Sequence, residues 1–185
     1  MDIRLLSKKY EVRTLDINDV DTIYDMSCKN EIFYKYHPPF ITKESIVEDM
    51  KALPPNKSYG DKYYIGFFEG DLLVANMGFI LGYPTDEIAF IGLFMTNIHY
   101  QNKGVGSNII GDVCNYLKQL GYKKVRIGVD NGGQISKPKR RRIRAWTGTL
   151  CEGGRDPWRK LKSRKPAGRG DNSKGYFLIY NLFTS

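Results

Sequence analysis

Residues 101–107 read Gln-Asn-Lys-Gly-Val-Gly-Ser, and they connect the apolar run Ile-Ala-Phe-Ile-Gly-Leu-Phe-Met of residues 88–95 to a segment with helical periodicity. The run is too short to cross a bilayer and has no polar face, which is typical of a strand covered on both sides. After this glycine turn, apolar residues recur at helical spacing and polar residues fall on the opposite face of the predicted helix. A second strand is predicted at residues 125–129. The rest of the chain is organised around this unit of strand, turn, helix and strand.

The glycine turn predicts an anion site. Gly104 and Gly106 have no Cβ, so a ligand can approach the main chain closely, and the first amides of the helix have no preceding carbonyl to bond. The helix dipole adds about half a positive charge and Lys103 adds a full one, which favours a phosphate or pyrophosphate. The alternative is a turn that needs glycine only for its backbone geometry. A dinucleotide fingerprint would need glycine in place of Ile109, and a P-loop would need Gly-Lys-Ser or Gly-Lys-Thr, so neither pattern is matched.

The turn resembles the acetyl-CoA-binding motif of the GNAT superfamily of N-acetyltransferases, which reads Gln or Arg, two residues, Gly, one residue and Gly after a hydrophobic strand. Gln101, Gly104 and Gly106 fill these positions, and Tyr100 stands where the family often has an aromatic residue, although the family's proline is missing. The resemblance implies that acetyl-CoA is the cosubstrate, with its pyrophosphate on the turn and its pantetheine arm on the strand edge. The pyrophosphate residues so implied are Gln101, Asn102, Lys103, Gly104, Val105, Gly106 and Ser107, and the pantetheine residues are Met95, Thr96 and Asn97.

The remaining residues up to 130 predict a mixed sheet. Strands are expected at residues 10–15, 63–68 and 72–81, the last two joined as a hairpin, while one helix is capped by Asp16 and a second by Thr42. The aromatic, proline-broken connection at residues 33–40 packs beneath the helices or forms a substrate wall. The predicted fold class is α/β of the α+β type, a central mixed sheet flanked by helices. This is also the element order of the GNAT-like acyl-CoA N-acyltransferase fold, and the resemblance covers about residues 10–130.

Length and cysteine content favour one domain in a reducing cytoplasm. A chain of 185 residues can bury a sizeable core without staples. The three cysteines, Cys28, Cys114 and Cys151, have no metal or redox spacing, and an odd number gives no disulfide framework. The first residues lack the apolar core of a signal peptide, and no run approaches 18 apolar residues. We therefore expect a soluble, cytoplasmic protein without a membrane partner or a metal.

The net charge of +9 is concentrated near the C-terminal end. Residues 137–174 carry 14 of the 29 basic residues but only 3 of the 20 acidic ones. Few core-forming residues occur between 131 and 175, so the predicted units are a GNAT-like core at 1–130, a basic segment at 131–175 and a terminal strand at 176–185. The basic segment is a disordered nucleic-acid-binding extension that uses Trp146 and Trp158 for stacking, a solvated insertion, or the product of an altered reading frame or cloned sequence.

The resemblance implies an N-acetyltransferase that moves an acetyl group from acetyl-CoA to a primary amine by direct attack. The acceptor is a small-molecule or peptide amine, and a homodimer is left open. Such an attack needs a base, and Glu87 at the mouth of the apolar strand is the best carboxylate, unless it is only a solvated turn residue. His37 and His99 have no partner at ligand spacing and are expected to be structural. A second hypothesis is a nucleic-acid- or polyanion-binding protein that uses residues 137–174 and carries an inactive acetyltransferase-like body.

Overall fold

The computed structural model describes residues 1–36, 39–130 and 143–149; for residues 32, 35, 36, 128–130 and 143–149 it describes the backbone alone. The predicted terminal strand at 176–185 lies outside the described residues. So do His37, Cys151 and all of the basic segment except residues 143–149.

Within the described residues, six strands form one mixed sheet in the order of the sequence. All neighbouring pairs are antiparallel except β4 and β5, which are parallel and are joined by a helix. The predicted hairpin is confirmed, with Gly70 at φ +59° between β2 and β3. The strands are β1 (Glu11–Thr14), β2 (Lys62–Glu69), β3 (Leu72–Leu81), β4 (Ile88–Thr96), β5 (Lys124–Asp130) and β6 (Ile143–Thr149).

In the part of the chain that the structure describes, four α-helices flank the sheet, and several of their ends coincide with capping residues of the sequence. Asp16 caps a short 3-10 turn that leads into the first helix, and Thr42 accepts the amide of Ser45 at 3.1 Å before the third. Gly121, at φ +92°, follows the last helix, where the Tyr122 amide bonds the Leu117 carbonyl at 3.1 Å, as a Schellman motif requires. The helices are α1 (Val20–Ser27), α2 (Glu31–Tyr36), α3 (Lys43–Lys51) and α4 (Val105–Gln119).

The two faces of the sheet bury two separate cores. Helix α4 packs its apolar stripe, which includes Ile109, Val113 and Leu117, on one face. The other face is covered by α1 to α3, whose Ile23 and Ile46 are almost fully buried. Because side chains alternate along a strand, β4 contributes side chains to both cores.

Two elements differ from the sequence-based expectation. Residues 31–36, predicted as a connection, form the short helix α2. Residues 143–149 form strand β6 along β5, although the basic segment was expected to lack a strand. Strand pairing uses main-chain groups, so a stretch with few core-forming side chains can still add to a sheet edge.

None of the helices in the described ranges is long and apolar enough to cross a membrane. The described residues also contain no group of three or more His, Cys, Asp or Glu side chains that could hold a metal ion.

Candidate functional site

Strands β4 and β5 pair over only part of their length. Ile88 to Ile91 pair with Lys124 to Ile127, but β4 continues to Thr96 with β3 as its partner in the described chain. Beyond Ile91 the edge of β4 therefore faces a gap on the side of β5, which we call the wedge. An open strand edge of this kind can accept an extended ligand as an added strand.

A β-bulge sits where the wedge begins. Gly78 and Phe79, which are adjacent in β3, pair with Leu93 and Ile91, so Gly92 is an extra residue in β4. A bulge leaves that residue outside the regular ladder and bends its strand. The bulge thus coincides with the point at which β5 stops pairing with β4.

Backbone alternation decides which groups of β4 face the wedge. The amide of Asn97 bonds the Val74 carbonyl at 2.8 Å, so the backbone of Asn97 faces β3. Counting back by two, Met95 also faces β3, whereas the N–H and C=O of Phe94 and Thr96 face the wedge. Of the three residues predicted for the pantetheine arm, Thr96 alone presents its backbone to the wedge; Phe94 was missed because the bulge that sets the phase has no sequence signal beyond Gly92.

Two side-chain amides hold the glycine turn against the end of β4. Asn97 donates from Nδ2 to the Leu73 carbonyl at 3.1 Å and accepts the His99 amide at 3.1 Å on Oδ1. Gln101 donates from Nε2 to the Thr96 carbonyl at 3.1 Å and also to Oδ1 of Asn30. Both residues were predicted to contact the cofactor, and the structure instead uses their side-chain donors inside the protein.

The two glycines of the turn serve different purposes. Gly104 has φ +78°, a conformation that side chains disfavour, and a Cβ there would meet open space. A Cβ on Gly106 would lie 3.4 Å from both Phe94 Cε1 and Thr96 Cγ2. Gly104 therefore makes the turn, and Gly106 lets the helix begin directly against the wedge edge of β4.

The first amides of α4 point at no protein acceptor. The first hydrogen bond of the helix runs from the Asn108 amide to the Gly104 carbonyl at 3.0 Å. Because the N-cap residue is glycine, no side chain caps the earlier amides. Within the described residues, the N–H groups of Val105, Gly106 and Ser107 have no hydrogen-bond acceptor. Together with the helix dipole and the exposed Lys103, they place positive charge and unpaired donors at the mouth of the wedge, where the sequence predicts an anion.

A cavity of about 220 Å³ lies on the other side of β4, on the face covered by α1 to α3. We call it the side cavity. Leu93 and Met95 of β4 form part of its lining, as do Phe33, Tyr34 and Phe40 from the aromatic connection. Phe33 and Tyr34 are 7% and 8% exposed, which confirms that this part of the aromatic connection packs beneath the helices, and both also border the side cavity; the substrate wall stays a prediction.

Glu87 lies at the opposite end of β4 from the glycine turn. At ~3.3 Å per residue it is roughly 16 Å from Gly92 and roughly 30 Å from Thr96. Its exposed carboxylate pairs with Lys123, whose ammonium holds the pKa of that carboxyl below its ordinary value. This placement argues against Glu87 as the base and favours the solvated turn residue.

Two polar residues of the site escaped the sequence analysis. Asn30 accepts a hydrogen bond from the side-chain amide of Gln101. Asn76 lines the side cavity, and the residue is 2% exposed. An isolated asparagine in a loop or in an apolar strand has no spacing that marks it. For Asn76 the sequence offers one clue, which is that a polar residue interrupts the apolar strand pattern of residues 72–81.

Comparison with known proteins gives a family match. The model described as the acetyltransferase (GNAT) family matches residues 26–138. Comparison with curated proteins gave no match.

Solved structures show the same fold at low sequence identity. An acetyltransferase from Thermus thermophilus has a TM-score of 0.56 and 18% identity, over 68% of this chain and 78% of that chain. A GNAT-family acetyltransferase from Staphylococcus aureus has a TM-score of 0.51 and 9% identity, over 76% and 99%. The PaiA N-acetyltransferase from Thermoplasma acidophilum, in complex with coenzyme A, has a TM-score of 0.50 and 16% identity, over 69% and 83%.

Proposed function

The chain belongs to the GNAT family of acetyltransferases, and on that premise we propose that it transfers an acetyl group from acetyl-CoA to a primary amine. The observation that carries this proposal is the junction of the wedge with the amides of Val105, Gly106 and Ser107, which have no acceptor in the described residues. One opening then offers a strand edge to an amide-containing arm and an anion site to a diphosphate.

Coenzyme A has the parts that this opening fits. Its diphosphate would accept hydrogen bonds from the amides that begin α4, with Lys103 nearby as a counter-charge. Its pantetheine arm contains two amides and would pair with the backbone of Phe94 and the N–H of Thr96 as an added strand, while the Thr96 carbonyl accepts Gln101. The thioester would then lie close to the bulge at Gly92. The structural neighbour with bound coenzyme A supports this choice of cosubstrate.

The reaction needs positioning more than a reactive side chain. Holding thioester and amine together makes the attack effectively unimolecular. The neutral amine attacks the thioester carbon, the C–N bond forms, the C–S bond breaks, and coenzyme A leaves as a thiolate that takes up a proton. We assign the developing oxyanion to a main-chain N–H beside the bulge, with Phe94 as the candidate because its amide faces the wedge.

The second hypothesis, a nucleic-acid-binding protein, has less support than the acetyltransferase. The family match and the solved neighbours do not favour it, and residues 137–142 and 150–174 lie outside the described part of the chain.

A melting experiment with two ligands tests the cosubstrate. Acetyl-CoA at about one hundred times its Kd should stabilise the fold by about 2.7 kcal/mol, which corresponds to a rise of several degrees in melting temperature. S-acetylpantetheine has the same thioester and arm but lacks the diphosphate, so it should shift the melting temperature much less at the same concentration. Equal shifts, or none with acetyl-CoA, would contradict the proposed site.

A further inference from the structure

The side cavity contains a buried polar atom that the fold leaves unsatisfied. Asn76 of β3 is 2% exposed, and among the described residues its Oδ1 has no hydrogen-bond partner. Buried carbonyl oxygens are nearly always paired, and an exception indicates a ligand or a functional constraint. Asn76 borders the side cavity, so a molecule in that space could complete the missing bond.

Asn76 is close to the reacting end of the proposed cosubstrate. It pairs with Met95 in the register of β3 and β4, so the two side chains share a face of the sheet. Leu93, the next residue of β4 on that face, is its diagonal neighbour, and such neighbours lie roughly 7–8 Å apart. A small molecule bound by Asn76 would therefore lie beside Leu93, the residue that follows Gly92 in β4.

The charge of the lining favours a cation. Glu48 and Asp49 of α3 border the side cavity, and its lining in the described chain includes no Lys or Arg. Burial, with the Asp49 carboxylate nearby, raises the pKa of Tyr64 well above its ordinary value, so this phenol stays neutral. An acceptor with its own carboxylate would meet two like charges and no Lys or Arg in that lining.

The size and the walls restrict the acceptor further. At about 220 Å³ the side cavity is smaller than the roughly 300–1,000 Å³ of sites for drug-sized ligands. Most of its wall is apolar, with Ile23 and Ile46 from the helices and Leu93 from the sheet. These dimensions suit a small molecule with an apolar body, because the volume corresponds to roughly seven water-sized units of ~30 Å³ each.

We propose that the acceptor is a compact primary ammonium ion with an apolar body and no carboxylate, held by a hydrogen bond from its nitrogen to Oδ1 of Asn76. The inference rests on the proposed function, because it names the acceptor of the same site. Asp49 supplies the opposite charge. The ammonium gives one proton to water before the attack, and the second passes from nitrogen to the coenzyme A thiolate through solvent, so the products are an amide, free coenzyme A and one released proton.

A matched pair of amines tests the charge rule. 2-Phenylethylamine and phenylalanine have the same aromatic body and differ by one carboxylate. With the full chain and saturating acetyl-CoA, thiol release and the mass of the acetylated product should give a kcat/KM about tenfold or more higher for 2-phenylethylamine. Equal values, or a preference for phenylalanine, would overturn the inference.

Asn76→Leu tests the binding atom. It removes the unsatisfied oxygen at similar volume, so we expect the protein to remain folded, the KM for 2-phenylethylamine to rise about tenfold, and the Kd of acetyl-CoA to stay unchanged. The melting temperature should rise with 2-phenylethylamine in the natural chain and not in the variant. An unchanged KM in the folded variant would overturn the inference.

Asp49→Asn is the second variant, because it removes a charge and leaves the Asp49 carbonyl, which accepts Lys62 Nζ, in place. It should raise the same KM about threefold. The two proposals can fail separately. If acetyl-CoA binds but 2-phenylethylamine is not acetylated, the acceptor inference is wrong and the proposed function stands; if acetyl-CoA does not bind, the proposed function is wrong.

Discussion

The glycine turn and the side cavity meet at the same strand, yet the chain builds them in opposite ways. The turn comes from seven consecutive residues and offers backbone amides, whose positions follow from the local fold. The side cavity is assembled from side chains of α1, α2, α3, β2, β3 and β4, which lie far apart in the sequence. Backbone groups cannot be exchanged by substitution, whereas side chains can. We call the glycine turn with the wedge the cosubstrate half of the proposed site, and the side cavity its acceptor half. The comparison teaches that the backbone fold fixes the shape of the cosubstrate half, whereas single substitutions can change the acceptor half.

The largest expected effect comes from closing the cosubstrate half. In Gly106→Leu the new side chain begins 3.4 Å from Phe94 Cε1 and Thr96 Cγ2, so it must fill the wedge edge or push α4 away from β4. We expect acetyl-CoA to bind at least roughly a hundredfold more weakly, since both the arm and the diphosphate lose their places. Isothermal titration with acetyl-CoA measures this directly.

Gly111→Leu is the matched control for that variant. Gly111 lies in the same helix, and a Cβ there meets no atom within 4 Å. It should keep the affinity for acetyl-CoA and gain stability, because glycine inside a helix costs about 1 kcal/mol relative to a good helix former. Equal losses in both variants would break the comparison, since the helix and not its contact with β4 would then matter.

An intermediate effect is expected from the support of the acceptor half. Thr42 accepts the amide of Ser45 at 3.1 Å and so caps α3, which carries Glu48 and Asp49 at the side cavity. Thr42→Ala should cost about 1 kcal/mol of folding free energy. We expect the KM of the amine to rise a few-fold while the Kd of acetyl-CoA stays the same. Denaturant unfolding and steady-state kinetics give the two numbers, and Thr42→Ser is the control that keeps the cap.

The smallest effect is expected at Glu87. This exposed carboxylate lies at the far end of β4, in an ion pair with Lys123 on the surface. Because Lys123 lowers the pKa of Glu87, the pair contributes to stability above the unfolded pKa of that carboxyl, and the contribution is lost as pH falls through the folded pKa. Glu87→Gln should leave kcat and its pH profile unchanged and shift the melting temperature by less than about one degree. Loss of the acidic limb of the profile, where a carboxylate base becomes protonated, would restore Glu87 as the base.

The sequence predicted the half of the site that is local. The spacing of Gln101, Gly104 and Gly106 predicted the glycine turn, and the structure confirms its backbone with φ +78° at Gly104 and a close helix start at Gly106. The anion that this turn is expected to bind stays a prediction. The sequence predicted less well which residues of β4 turn their backbone N–H and C=O groups toward the wedge. Phe94 was missed and Met95 was chosen instead, because a one-residue bulge reverses which backbone groups face outward.

The acceptor half could not be predicted from the sequence because the side cavity forms only where helices and strands far apart in the chain pack together. Asn76 reads as one polar residue in a strand, and its unsatisfied oxygen becomes visible only when α3 and β4 surround it. Helix α2 was missed because the aromatic run 33–40 and its prolines hide a six-residue helix. Strand β6 was missed because residues 143–149 pair with β5 through main-chain groups, and their side chains show no pattern that predicts a strand.

The central claim is that the main-chain amides which begin α4 hold the diphosphate of coenzyme A. Nuclear magnetic resonance of the ¹⁵N-labelled protein tests it most directly, by titration with coenzyme A and, in parallel, with pantetheine. The account predicts that the amide signals of Val105, Gly106 and Ser107 shift and saturate with coenzyme A and stay nearly fixed with pantetheine. If these three signals remain in place while coenzyme A binds, the diphosphate lies elsewhere and the account is contradicted.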